Sequence, residues 1–306
     1  VSVHELLGAR RPDPLVEAIL RRDTRRSVTL LVEAGFDQRF WRIYAHEDCA
    51  VVHQDQGGRQ AALDKLQAAA KHPEVRMLAV LDADLDRVEG GLRLVPNVIW
   101  TDAHDLETTL LGLPTLEKLL RQQVEQQRLD EHTSRWGEPV RERLFRHGVI
   151  LGKLRWLKQR ERLDELKFHK PGKASQKGQR LRFSDYHKCT ADDWTPSAEQ
   201  TVQALLNYNS AQHLRARALP AELAALHHDD PAQLCNGHDL LGLLHALLRY
   251  VFKCSAAPDV DTLEHLLAAS CERLWLAKTT MWRDIQAWEA EHPGFSVLAA
   301  SEPRPG

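Results

Sequence analysis

A chain of 306 residues, 43% hydrophobic and with a formal net charge of −2, has room for one large domain or two ordinary ones around a real core, and its charge excludes a general polyanion binder. No stretch carries the ~20 unbroken apolar residues of a membrane span, and the opening VSVHELLGARRPDP lacks a signal-peptide core. The five cysteines, odd in number and without a CxxC pair, argue against a disulfide framework or zinc site, so a soluble, cytoplasmic protein with reduced thiols is expected.

In chain order, ARRPDP leads into an entry helix over Pro14–Arg22. Ser27–Glu33 reads as a strand, Asp37–His46 as a helix and Ala50–Gln54 as a second strand. The QGG turn at Gln56–Gly58 then enters a helix over Arg59–Ala70, where Ala62, Leu66 and Ala69 share one face. QGG has no GK[ST] behind it and so is not a Walker A loop. Arg76–Leu81 and Val98–Thr101 are the third and fourth strands, and Leu106–Leu111 opens a helix. This alternation predicts an α/β module with a doubly wound, mainly parallel sheet over residues 1–113. A mostly helical region follows over 114–306, with a polar stretch near His169–Gln179.

Three apolar runs end in acids: LLVEAGFD, LAVLDADLD and VIWTDAHDLE. Ligands bind outside the carboxyl ends of strands in such sheets, so acids from separate strands converge there and repel unless a cation joins them. Asp82 and Asp84 are two apart, and continued strand alternation would aim both carboxylates one way. Their hard oxygens suit Mg²⁺ or Mn²⁺. Glu33, one strand away, is placed to hold a second ion or act as base, and two ions can clamp the attacking and leaving oxygens of a phosphodiester. Asp86 is a candidate third ligand, and Asp105 and Glu107 are expected to support the site. The plainer reading, helix capping, suits Asp37 and Asp105.

VEAG at Val32–Gly35 followed by the DAD of Asp82–Asp84 resembles the Toprim domain of topoisomerases, bacterial primases, small RNA-maturation nucleases and overcoming-lysogenization-defect nucleases. VEAGFDQRFW, QGG, LDADLD, TDAHDLET and the NGHDLL of Asn236–Leu241 bring the chain closer to the Toprim-like family catalogued as domain of unknown function 4435, over most of its length. The resemblance implies a Toprim fold, Glu33 as general base or acid, and Mg²⁺ on Asp82 and Asp84. Through relatives such as the nuclease effector of the PARIS anti-phage system, it also implies a toxic nuclease acting on transfer RNA, a separate ATPase partner that restrains it, and a homodimer. Some Toprim enzymes carry a longer acidic run after the pair, where Asp86 stands here.

Between Lys153 and Lys188 the chain carries twelve Lys or Arg against four acids. Lys153, Arg155, Lys158, Lys167, Lys170, Lys173, Lys177, Arg180 and Arg182 are the candidates to track a phosphate backbone. Phe168, Phe183 and Tyr186 are candidates to stack on unpaired bases. A solvated helix face and loop is the bland alternative. In NGHDLL, Asn236 or Asp239 can cap a leucine-rich helix, whereas His238 could serve as a proton donor or phosphate contact near the metal; His104 faces the same choice. Trp275, Trp282 and Trp288 read as packing residues. The expectation is a Mg²⁺-dependent endonuclease in anti-phage defence, with RNA slightly favoured over DNA. Its rivals are a non-catalytic sensing scaffold and a nucleotide transferase or phosphohydrolase.

Overall fold

The computed structural model describes residues 27–53, 57–72, 75–170, 179–180, 194–209, 214 and 217–300, with 169–170 and 179–180 through their backbone pairing alone. The expected entry helix at Pro14–Arg22 lies outside these residues, as do Gln56, Lys173, Lys177, Arg182, Phe183 and Tyr186 and the side chains of Lys170 and Arg180. Two compact units share the chain. One takes in residues up to Asp82, then 93–102 and everything from Glu272; the other takes in 83–92 and 103–271. The cut falls between Asp82 and Ala83, and neither unit is contiguous in sequence.

The first unit is built on four parallel strands: β1 (Val28–Val32), β2 (Cys49–His53), β3 (Met77–Leu81) and β4 (Val98–Trp100). Their order is β2-β1-β3-β4. Every residue of VTLLV and MLAVL is buried, as unbroken apolar runs in central parallel strands require, whereas the outer strands are only partly covered. Helix α1 (Gly35–Tyr44) packs against β2 and turns Phe36, Phe40, Trp41 and Tyr44 inward. Helix α2 (Gly58–Ala69) lays Ala62, Leu66 and Ala69, the face read from the sequence, against Leu31, Met77, Ala79 and Leu81.

The second unit is helical. Its helices are α3 (Leu106–Gly112), α4 (Thr115–Gln123), α5 (Gln126–Trp136), α6 (Val140–Glu161), α7 (Ala198–Asn209), α8 (Leu219–Ala225), α9 (Pro231–Leu234), α10 (Gly237–Ala246) and α11 (Val260–Ser270). A two-residue antiparallel ladder, β5 (His169–Lys170) with β6 (Gln179–Arg180), interrupts them. The 22-residue α6 forms the spine, with α9 and α10 packed on it. The contact is close enough that a Cβ at Gly152 would sit 2.2 Å from the Leu234 carbonyl oxygen.

The chain then returns to the first unit through α12 (Arg273–Leu276) and α13 (Thr280–Glu291), the latter packed against β4. Asp102, just beyond β4, accepts hydrogen bonds from the Thr280 and Met281 amides at 2.5 and 2.9 Å and so caps α13. Trp282 meets Tyr44 edge-on and Trp288 donates its indole N–H to Asn97, so both are buried packing residues. The chain is thus α/β with a four-stranded all-parallel sheet. No helix among the described residues is long and apolar enough to cross a membrane.

Candidate functional site

In the sheet unit, strand order reverses at β1, which has β2 on one side and β3 on the other. The carboxyl ends of β1 and β3 therefore form the topological switch point, where open α/β sheets bind ligands. Glu33 follows β1 directly and Asp82 follows β3. The Asp82 amide donates to Oε1 of Glu33 at 3.0 Å. Arg59, on the first turn of α2, brings Nε to 3.7 Å from the same oxygen while its guanidinium lies over the Trp100 ring at 5.4 Å. Gly57 and Gly58 both have positive φ, and a Cβ on Gly58 would stand 3.7 Å from Oε2 of Glu33. The carboxylate thus faces the amino end of α2, whose dipole favours a negative charge. Asp37 closes a capping box on α1, accepting the Ala34 amide at 2.9 Å, as the capping reading expects.

One expectation about the acidic pair is overturned. β3 ends at Leu81, and Asp84 has φ of +47°, the left-handed region. A strand cannot continue through that conformation, so alternation along β3 does not set the direction of the Asp84 carboxylate. Within the helical unit, the Asp84 amide donates to the His104 carbonyl at 2.7 Å, and its half-exposed carboxylate lies 3.7 Å from Nε2 of the buried His104. Asp86 occupies the turn that follows, its amide bonded to the Ala83 carbonyl and its carbonyl accepting from Gly91.

Asp105 is the N-cap of α3. One carboxylate oxygen accepts the Thr108 amide at 2.8 Å and the other the Gly237 amide at 2.7 Å, so this acid ties α3 to α10. Asn236 caps α10. That leaves Asp239 to take Arg155 in a two-pronged pair, 2.6 Å from Nε and 2.8 Å from the NH2 nitrogen. His238 comes to Glu107 and Glu264: its Nδ1 is 3.8 Å from Oε1 of the first and 3.5 Å from Oε1 of the second.

The basic stretch divides. Lys153, Arg155 and Lys158 lie on α6, and Lys167 follows it, exposed. Burial depresses the Lys158 ammonium below the usual lysine range, and the charges of Lys167 and Arg155 add to that effect. The carboxylates of Asp164 and Glu165 act in the opposite direction. Arg155, however, is committed to Asp239; burial opposes its charge, while Asp239, helped by Asp105 and Asp84, pushes the other way, and the net direction is upward. Phe168 is buried with the Arg155 guanidinium 4.1 Å from its ring centroid, so it offers no open face to a base, contrary to the stacking expectation.

Sequence reading missed Arg59, Asp239 as an ion-pair partner, and Glu264. For Glu264 the only local signal is an acid on the buried stripe of Leu263 and Leu267 on α11. Its neighbours come from α3 and α10, far away in the chain.

No protein-family model matches this chain, and no curated protein matches it significantly.

Proposed function

We propose that the chain is a metal-dependent, Toprim-type nuclease. The observation that carries this reading is the meeting of Glu33 and Asp82 at the β1–β3 switch point, where a hydrogen bond from the Asp82 amide orients the Glu33 carboxylate. The donor set fits the expected ion, because carboxylate oxygens are the hard ligands that Mg²⁺ or Mn²⁺ prefers. Glu33 and Asp82 are the residues of the sheet unit to hold it, and Asp84 and Asp86, which follow along the chain, are the further ligands that the resemblance implies. When bound, the ion supplies Lewis-acid polarisation of a non-bridging phosphate oxygen.

The remaining work falls to the chain's own groups. Glu33 takes a proton from the attacking water at its Oε2, the oxygen on the Gly58 side. The water oxygen bonds to phosphorus, the bond to the leaving oxygen breaks, and that oxygen takes a proton from solvent. Lys153, Lys158 and Lys167 neutralise the phosphate backbone. Following the resemblance, RNA, transfer RNA included, is slightly favoured over DNA as the substrate, the setting is anti-phage defence, and a separate ATPase partner and a homodimer are expected.

The test is incubation of purified protein with total cellular RNA and plasmid DNA in Mg²⁺, Mn²⁺ or EDTA, alongside Glu33→Gln and Asp84→Asn. Metal-dependent products that fall by about 10²-fold or more in either variant are expected. A variant cutting at the wild-type rate removes the assignment. Hydrolysis of free nucleoside triphosphate instead points to a phosphohydrolase, and metal-independent binding without products to a sensing scaffold.

A further inference from the structure

We infer that the helical unit carries a transition-metal site of its own, formed by Glu107 on α3, His238 on α10 and Glu264 on α11. One ligand atom from each of the three lies within 4.8 Å of the others. Ligand atoms around a divalent ion with bonds of about 2.0–2.2 Å stand about 3–3.5 Å apart. The Nδ1–carboxylate distances of 3.5 and 3.8 Å are close to that spacing, and the two carboxylates, within 4.8 Å of each other, reach it by inward rotation of side chains.

The surrounding backbone is arranged for such a site. Asp105 locks the start of α3 to the start of α10 through the Gly237 amide, and Thr108 adds a hydrogen bond to the Cys235 carbonyl at 2.9 Å. Gly237 leaves no room for a side chain, since a Cβ there would lie 2.4 Å from Cβ of Glu107. The residue beside His238 must therefore be glycine for α10 to come this close to Glu107. α11 packs against both helices and brings Glu264 in from the third direction. The two carboxylate side chains are only 8 and 9% exposed, whereas His238 is 50% exposed. The site is thus acidic at its base and opens to solvent along the imidazole, the side from which an ion and its water enter.

Ligand chemistry selects the ion. An imidazole nitrogen beside two carboxylates favours Zn²⁺, with Mn²⁺ next, over Mg²⁺ or Ca²⁺, which prefer oxygen alone. Three protein ligands leave a fourth position for water. This site stands independently of the Glu33, Asp82 and Asp84 reading and is tested apart from it.

Full-length protein is stripped with EDTA, and titration calorimetry follows Zn²⁺ and then Mn²⁺ in wild type, His238→Asn, Glu264→Gln, the Glu33→Gln/Asp82→Asn pair and His227→Asn/His228→Asn. The expected result is about one equivalent of Zn²⁺ whose affinity falls at least about tenfold in His238→Asn and Glu264→Gln and holds in the other two. Circular dichroism checks the fold of each. Should Glu264→Gln fail to fold, His238→Asn at its half-exposed position decides alone. Equal affinity and stoichiometry in wild type and His238→Asn overturns the proposal and leaves His238 as an ion-pair partner of the two acids. Loss of the equivalent in the exposed His227/His228 variant does so too, as it assigns the ion to the surface.

Discussion

At the residue scale, the sequence marks where acids stand but not what holds them. Glu33 and Asp82 were legible because each ends a buried apolar run. Glu264 was not, because its meaning depends on two residues from other helices. His147 is a similar case: it is fully buried on α6, donates its Nε2–H to the Trp194 carbonyl at 2.9 Å and stacks on that indole. Burial lowers its pKa to about 4, and Arg143 and Arg146 push the same way while the Trp194 bond resists. The folded value lies below the unfolded value of 6.5, so the unfolded chain binds the extra proton. Stability from this group is full above pH 6.5 and drains as pH falls toward 4, by roughly 2 kcal/mol at pH 5. Urea midpoints at pH 7 and pH 5 are expected to differ less in His147→Gln than in wild type. The Arg155–Asp239 pair gives a second expectation at this scale. Asp239→Ala strands a partly buried guanidinium and costs roughly 2–3 kcal/mol, read as a lower melting temperature.

At the scale of elements, the strands were readable because central parallel strands are apolar throughout, and α2 because its small residues recur at helical spacing. The end of β3 was harder. Nothing in LDADLD announces that the backbone turns left-handed at Asp84, since aspartate tolerates that region without needing glycine. That tolerance shapes the experiment: Asp84→Asn is expected to keep the fold, whereas Asp84→Val costs about 1–2 kcal/mol in backbone strain alone. The packing of α9 on α6 is likewise silent in the sequence. Gly152→Ala must part the two helices and is expected to lower stability by about 1–3 kcal/mol, measured by thermal unfolding.

At the scale of the whole molecule, a change from strand to helix patterning near Pro114 was visible, but the return of residues 272–300 to the sheet unit was not. Helical periodicity shows that a helix buries one face and does not say against what. Trp282 and Trp288 were read as packing residues without a partner, and the partner proves to be the sheet unit, at Tyr44 and Asn97. A fragment ending at Leu113 keeps all four strands yet lacks the helix whose amino end Asp102 caps. It is expected to be poorly folded by circular dichroism and quickly proteolysed. The charge distribution also acts at this scale. If the proposed nuclease binds its substrate through the α6 cations, affinity falls as salt rises, and Lys153→Gln/Lys158→Gln flattens that dependence, measured by titrating binding at several salt concentrations.

The placement of α13 also fixes an order of events during synthesis. The strands leave the ribosome early, but the helix that packs on β4 is made only after the whole helical unit. At about 5–20 residues per second that interval is on the order of ten seconds. Throughout it, β4 waits without the helix that packs against it while α3 to α11 are free to collapse first. Nascent chains stalled before Thr280 are thus the species in which an unprotected edge strand meets chaperones or aggregates.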